Sequence, residues 1–384
     1  MLTSLPELPV YNLLPLELVS GQGATVVDAR GDEYLDFYGG HAVAALGHGH
    51  PKLAEALYRQ AQRLMFYSNA VDHEPRRRFC ARLLQMAGDR FAGVFLCNSG
   101  AEANENALSI ARQLTKRKVF VSVEGGFHGR TLLTLALSGL PNYRRLAKAG
   151  DEPLLNDLRL LPAHDLEMID TIVDEDCAAV IVEPVQGLAG AVAFSSEYLT
   201  RLRQRCDEVG ALLIFDEVQC GSGRSGCYTA AQRLQVQPHI LTLAKGLAGG
   251  FPIGAVLCDP QTAKVNAGSL GSTFGGAPLA CAAGLAALDI IEEENLLANA
   301  YRLGEHLKFA LACIDGVVRV DGLGLLIGIE LKQPAKDVRD ALLTDHRIIA
   351  GVSAHPHVLR IMPPLSITQT EADTFVHALT QTLT

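Results

Sequence analysis

Three polar residues stand directly behind apolar runs: Glu183 behind AAVIV (178 to 182), Asp216 behind ALLIF (211 to 215), and Lys245 just past HILTL (239 to 243). If those runs are strands of an open parallel sheet, their carboxyl ends border the crevice where such sheets bind ligands. Two carboxylates and an amine then face one space. A lysine desolvated there can lose its proton and attack a carbonyl, whereas a surface lysine with a pKa of about 10.4 does so poorly. Schiff-base chemistry is the natural use of such a residue. Taken singly, each signal has a plainer reading: a loop lysine snorkels to solvent, and an aspartate at a strand end caps a helix or anchors a loop.

The combination points further. Pyridoxal phosphate is an electron sink only while its ring nitrogen stays protonated, and a buried carboxylate such as Asp216 favours that form. The cofactor's phosphate needs backbone donors. Asn98-Ser99-Gly100-Ala101 supplies a strand-to-helix turn whose glycine lets an anion approach a helix N-terminus, although an ordinary capped helix would read the same way.

Other motifs carry less. Gly221-Ser222-Gly223-Arg224-Ser225-Gly226 spells G-x-G-x-x-G, the one signal for a nicotinamide oxidoreductase as the alternative, but no acid stands near residue 246 to meet a ribose. In the glycine-rich stretch from Gly246 to Gly254 the lysine precedes the glycines, the reverse of a phosphate-binding loop. His48 and His50 have no third ligand in range and read as a structural turn, so no metal is expected. Neither G-x-S-x-G nor H-E-x-x-H occurs.

The elements that must hold these residues follow from the apolar pattern. GVFLC (93 to 97), KVFVSV (118 to 123), the three runs above and GAVLC (254 to 258) look like buried parallel strands and alternate with helical segments, which implies an α/β unit with helices on both faces. Behind Ser99-Gly100, the residues Ala103, Ala107, Leu108, Ala111 and Leu114 share a helix face, and Glu102 and Glu105 suit its first turn. Past residue 290 two amphipathic patterns (292 to 314 and 369 to 384) flank short strands in LLIGIEL and HVLRIM. The expected division is an N-terminal segment, 1–45, containing a two-stranded ribbon and packing with the small domain; a large domain, 46–290; and a smaller α+β domain, 291–384.

A chain of 384 residues that is 48% hydrophobic and 20% charged has material for a sizeable core. Its formal net charge of -9 offers no general attraction for nucleic acid. The nine cysteines contain no C-x-x-C pair and suit free thiols in a reducing compartment. With no apolar run of membrane-spanning length and no leader-like N-terminus, the expectation is a cytoplasmic protein without membrane partners.

The ordered motifs YLDFYGGHAVAALGHGHP (34 to 51), FLCNSGAEANENALSIAR (95 to 112), GGFHGRT (125 to 131), VEPVQG (182 to 187), LLIFDEVQCGSGRSG (212 to 226), TLAKGLAGGFPIGA (242 to 255), GSTFGGAPLACAA (271 to 283) and LRIMPPL (359 to 365) resemble the class III pyridoxal-phosphate aminotransferases of fold type I, most closely the acetylornithine/succinylornithine aminotransferase group. The resemblance implies that Lys245 carries the cofactor covalently and that Asp216 pairs with its ring nitrogen. It sets Gln219 near the ring hydroxyl, Phe127 against the ring, and Glu183 and Val218 beside it. Ser99, Gly100 and Ala101 would hold the phosphate, with Thr273 arriving from the partner subunit of a homodimer with shared active sites. Arg130 and Ser272 would contact an acylated substrate, and Arg360 the α-carboxylate of 2-oxoglutarate or glutamate, a task suited to a bidentate guanidinium.

Two departures stand out. Relatives commonly have an acid where this chain has Leu188, and that acid can mask the substrate-binding arginine. Gly39-Gly40-His41 replaces a common A-G-I, putting His41 near the expected substrate mouth as a substrate contact or a structural hydrogen-bonding residue. The reaction implied is transfer of the terminal amino group of N2-acetyl-L-ornithine, or a similar N-acylated diamino acid, to 2-oxoglutarate, giving a semialdehyde and glutamate. Ornithine, 4-aminobutyrate, succinylornithine and carrier-linked lysine transamination, or a class III aminomutase reaction, are the alternatives.

Overall fold

The computed structural model describes residues 8, 10–150 and 152–384; residues 1–7 and 9 of the expected N-terminal segment lie outside that description. The chain opens with the antiparallel strands β1 (Leu18–Gln22), β2 (Thr25–Asp28) and β3 (Glu33–Asp36). Helices α1 (Pro51–Arg63) and α2 (Glu74–Ala87) lead into β4 (Gly93–Cys97), α3 (Gly100–Thr115), β5 (Val119–Val123), β6 (Leu158–Leu161), β7 (Cys177–Val182), α4 (Ser196–Val209), β8 (Leu212–Asp216), β9 (Ile240–Leu243) and β10 (Gly254–Cys258). Strands β4 to β10 form one sheet in the order β4-β10-β9-β8-β7-β5-β6.

The mixed α/β class holds, with one correction and one addition. GAVLC is antiparallel to both of its neighbours. Only residues 244–253 separate β9 from β10, and a parallel return needs a crossover of about a dozen residues or more. Its apolar composition records that both faces are covered and says nothing of direction. Strand β6 was not anticipated, because Arg159 interrupts its apolar run and only Leu161 is fully buried. Within β7, Val180 and Val182 point into one core while Ala179 and Ile181 point into the other. Helix α3 covers the second face and α4 the first. Each fully buried Val, Leu or Ile contributes about 1.5–3 kcal/mol.

Helix α5 (Pro278–Glu293) runs through residue 290 and is followed by α6 (Leu296–Ala312), β11 (Val317–Leu323), β12 (Leu326–Leu331), α7 (Ala335–His346), β13 (Ile348–Ile349), β14 (Gly351–Val352), β15 (Val358–Ile361) and α8 (Gln369–Leu383). Strands β11, β12, β15 and β14 form a second sheet in that order, while β13 pairs in parallel with β3. Residues from the two ends of the chain thus share a sheet. All nine cysteines are free and most are buried.

Candidate active site

The carboxyl ends of β7, β8 and β9 and the start of α3 open into one cavity of about 530 Å³. Lys245, in the left-handed region at φ 50°, begins a 3-10 turn immediately after β9. Its amine is held below the usual lysine range, chiefly by burial and further by Arg360, while Glu183 and Asp216 oppose the shift. It forms no ion pair among the described residues.

Asp216 ends β8 with both oxygens occupied. Oδ2 accepts from His128 Nδ1 at 2.8 Å and Asn104 Nδ2 at 2.7 Å, and Oδ1 accepts from the Val218 amide at 3.1 Å. Thr242 Oγ1 donates to Asn104 Oδ1 at 2.7 Å, and Asn104 also donates to the His128 carbonyl. Three buried side chains, from α3, β9 and the loop after β5, therefore fix the Asp216 carboxylate. His128 Nε2 is buried without a partner among the described residues. Neither Asn104 nor His128 was singled out from the sequence, although both stand in quoted motifs. Asn104 lies on the face that α3 buries, and that was the available signal.

At the start of α3, Ser99 is the N-cap: its hydroxyl accepts from the Glu102 amide at 3.2 Å and its carbonyl from the Ala103 amide at 3.0 Å. The Gly100 and Ala101 amides have no acceptor among the described residues, as expected at a helix start. A Cβ on Gly100 would lie 2.6 Å from Val218 Cγ1, so glycine permits the close packing that leaves these donors open to the cavity. Glu183 Oε1 accepts from the Phe127 amide at 2.7 Å and Oε2 from the Gly187 amide at 3.1 Å. Burial, aided by the charge of Asp216, pushes its carboxyl up to about 7. Glu183 thus fixes two loops that border the cavity.

Arg360, which also lines the cavity and is only 2% exposed, donates from Nη1 to Gly187 O at 2.9 Å and Gln219 Oε1 at 3.4 Å, and from Nε to Val352 O at 2.9 Å. Among the described residues no carboxylate lies within ion-pair distance of it, and Leu188 lines the same cavity. Gln219 Nε2 donates to the His41 carbonyl at 3.3 Å. His41 sits in a run of positive φ angles from Gly39 to Ala42, and its ring meets the Tyr38 hydroxyl. Burial and then the charges of Lys245, Arg360 and Arg130 push its pKa down to about 4. Arg130 lies over the Tyr143 ring, 5.0 Å from its centroid, and that ring meets Phe127 edge-on. Nothing in the loop-like sequence around Tyr143 signalled this.

The cavity therefore gathers Ser99, Gly100, Ala101, Phe127, Arg130, Glu183, Asp216, Val218, Gln219, Lys245, His41 and Arg360. Ser272 and Thr273 line separate grooves across Asn98, where Ser272 Oγ accepts from Asn98 Nδ2 at 3.1 Å. The open amides, the buried amine, the anchored carboxylate and the flat Phe127 ring fit a phosphorylated aromatic aldehyde.

The family model described as Aminotransferase class-III matches residues 9–383. The chain is 38% identical to the acetylornithine aminotransferase of Methanocaldococcus jannaschii, across 98% of this chain and 96% of that protein. It is 43% identical to the acetylornithine aminotransferase of Streptomyces coelicolor, across 96% and 91%. Among solved structures, it is similar to the ornithine aminotransferase of Toxoplasma gondii ME49 at a TM-score of 0.91 and 31% identity, covering 98% of this chain and 92% of that one. It is also similar to the acetylornithine aminotransferase of Elizabethkingia anophelis at 0.86 and 32%, covering 98% and 96%.

Proposed function

The chain belongs to the class III aminotransferases, and from that premise we propose that it transfers the terminal amino group of N2-acetyl-L-ornithine, or a closely similar N-acylated diamino acid, to 2-oxoglutarate. One observation carries the reading. A single cavity is lined by Lys245, the anchored Asp216 and the carboxylate-free Arg360. The first two serve amine chemistry; the third receives the acceptor's α-carboxylate.

Pyridoxal 5'-phosphate, the cofactor of this family, supplies the electron sink that stabilises negative charge at the reacting carbon. Gly100, Ala101 and Ser99 would hold its phosphate, Asp216 its ring nitrogen, Phe127 and Val218 its faces, and Gln219 its hydroxyl side. The lowered pKa of Lys245 keeps more of its amine neutral at a given pH, so Nζ can take the proton from the donor's amine-bearing carbon. Asp216 is held in place for its role by His128 and Asn104. Glu183 orients Phe127 through the backbone amide. Arg360, Arg130 and His41 border the remaining space and would orient the substrate's carboxylate and acyl ends.

The reading includes a homodimer in which Thr273 and Ser272 serve the partner's cavity. Exposed Met65, Phe66, Tyr67 and Phe274 form apolar surface beside those residues, with the Phe66 and Phe274 rings 5.0 Å apart. A cytoplasmic setting suits the free thiols, and no helix among the described residues is long and apolar enough to cross a membrane.

The test is a donor panel with 2-oxoglutarate, scored for glutamate. N2-acetyl-L-ornithine should have the highest kcat/KM, ahead of succinylornithine, ornithine and 4-aminobutyrate. Borohydride should fix the cofactor on Lys245, and Lys245→Ala should abolish turnover. Glutamate formation from none of these donors would overturn the reading.

A further inference from the structure

The glycine-rich segment at 221–226 binds no nucleotide in the reading above, yet it contains the bulkiest of the fully buried side chains, Arg224, at 1% exposure. An arginine so deeply buried is costly unless its donors are used, and here no carboxylate pairs with it among the described residues. Nη1 instead donates to two backbone carbonyls, Leu325 O at 3.3 Å and Pro363 O at closer range. Nη2 is buried and has no partner among the described residues.

Those carbonyls lie on the polypeptide that carries Arg360. Pro363 is three residues beyond Arg360, and Leu325 precedes β12, which pairs with β15 in the register Gly328 to Arg360. The Leu325 amide in turn donates to Arg224 O at 2.9 Å. The contact is too close for side chains: a Cβ on Gly324 would lie 2.4 Å from Arg224 O. The same stretch is held from the other side, where the Met362 amide donates to Phe37 O at 2.7 Å and the Leu365 amide to Ala45 O at 2.8 Å. Arg224 ties Leu325 and Pro363 to the loop following Asp216.

We propose that Arg224 is a positioning residue for Arg360: by gripping Leu325 O and Pro363 O, it sets the depth and direction of the arginine that receives the α-carboxylate. Gly324 serves that function by letting the β11–β12 turn approach the backbone of Arg224 and Ser225. This rests on the reading of Arg360 given above. Arg224 touches neither substrate nor cofactor, so its loss should be felt in carboxylate affinity and not in the chemistry at Lys245.

The experiment uses the holoenzyme and the non-reacting dicarboxylate glutarate. Its Kd is measured by calorimetry for wild type, Arg224→Met, Arg224→Lys, Arg360→Met and the Arg224→Met/Arg360→Met double variant, together with the single-turnover rate for a terminal-amine donor. Arg224→Met should weaken glutarate by about 10-fold, Arg224→Lys by less, and donor rates should change by less than about 2-fold. In the Arg360→Met background, Arg224→Met should add nothing, because the effect acts through Arg360. If Arg224→Met yields no folded protein, Arg224→Lys is carried through the same cycle. Unchanged glutarate affinity in a folded Arg224 variant, equal losses in glutarate affinity and donor rate, or additive losses in the double variant would overturn the proposal. Glutarate binding that is indifferent to Arg360→Met would overturn the reading of Arg360 itself, and the proposal with it.

Discussion

His128 Nδ1 and Asp216 Oδ2 lie 2.8 Å apart with both side chains almost wholly buried, so the histidine donates to the carboxylate and the two are locked together. Removing a buried partner leaves the other unsatisfied, at a cost of about 1–3 kcal/mol. His128→Ala should therefore weaken cofactor affinity roughly 10- to 100-fold and lower thermal stability. Asn104→Ala, which removes the second donor on the same oxygen, should do likewise. Absorbance titration of apoenzyme with cofactor, alongside thermal melts, measures both effects. Wild-type affinity in both variants would mean that Asp216 needs neither neighbour.

Much of this site could be read from the sequence because its chemistry is written at strand ends. Glu183, Asp216 and Lys245 each follow an apolar run, so locating the strands located them. The supporting residues were harder to see. Asn104 looks like one polar residue on an otherwise apolar face, and His128 is an ordinary loop histidine until the fold brings it against Asp216. Arg224 stands inside the glycine motif, and a spacing rule for nucleotides has no means of registering a contact with Pro363, far along the chain. The reversed direction of β10 was hidden because burial, not orientation, determines composition; the short connection before it was the legible clue.

The shared-site reading predicts complementation between inactive chains. Thr273→Ala should retain cofactor poorly, and Lys245→Ala should not turn over. In a hybrid of the two, one site carries both lesions, while the other has an intact Lys245 and a partner bearing Thr273. Adding excess Lys245→Ala chain should therefore raise activity per Thr273→Ala chain. Activity that merely tracks the residual Thr273→Ala homodimer would argue for self-contained sites.

His41 and Lys245 give a pH signature. A histidine whose pKa is pushed down to about 4 is neutral throughout the ordinary working range, so its charge does not change between pH 5.5 and 7. Its folded pKa lies below the unfolded value of about 6.5, so the unfolded chain binds the extra proton first, and its contribution to stability is lost as pH falls from about 6.5 toward 4. The lowered amine of Lys245, free once the donor has displaced it from the cofactor, moves its deprotonation to lower pH, carrying the ascending limb of donor kcat with it. His41→Asn should change donor KM but leave that limb in place. A limb near pH 6.5 that disappears in His41→Asn would refute the assignment.

The last expectation concerns Leu188. Arg360 is held by the neutral acceptors Gly187 O, Gln219 Oε1 and Val352 O, and Leu188 lines its cavity without offering a charge. Its positive charge therefore remains available to an α-carboxylate in both half-reactions, and donor choice should be less strictly terminal than in enzymes with an acid at this place, with glutamate among the better donors. Leu188→Glu would supply a competing carboxylate. It should weaken 2-oxoglutarate and glutamate use by about 1–3 kcal/mol in the partly buried setting, while a terminal-amine donor loses less or improves. Single-turnover rates for each half-reaction decide the matter, because an effect on charge separates the two substrates and a general disturbance does not. Equal losses for both, or no change in either, would show that residue 188 does not govern Arg360.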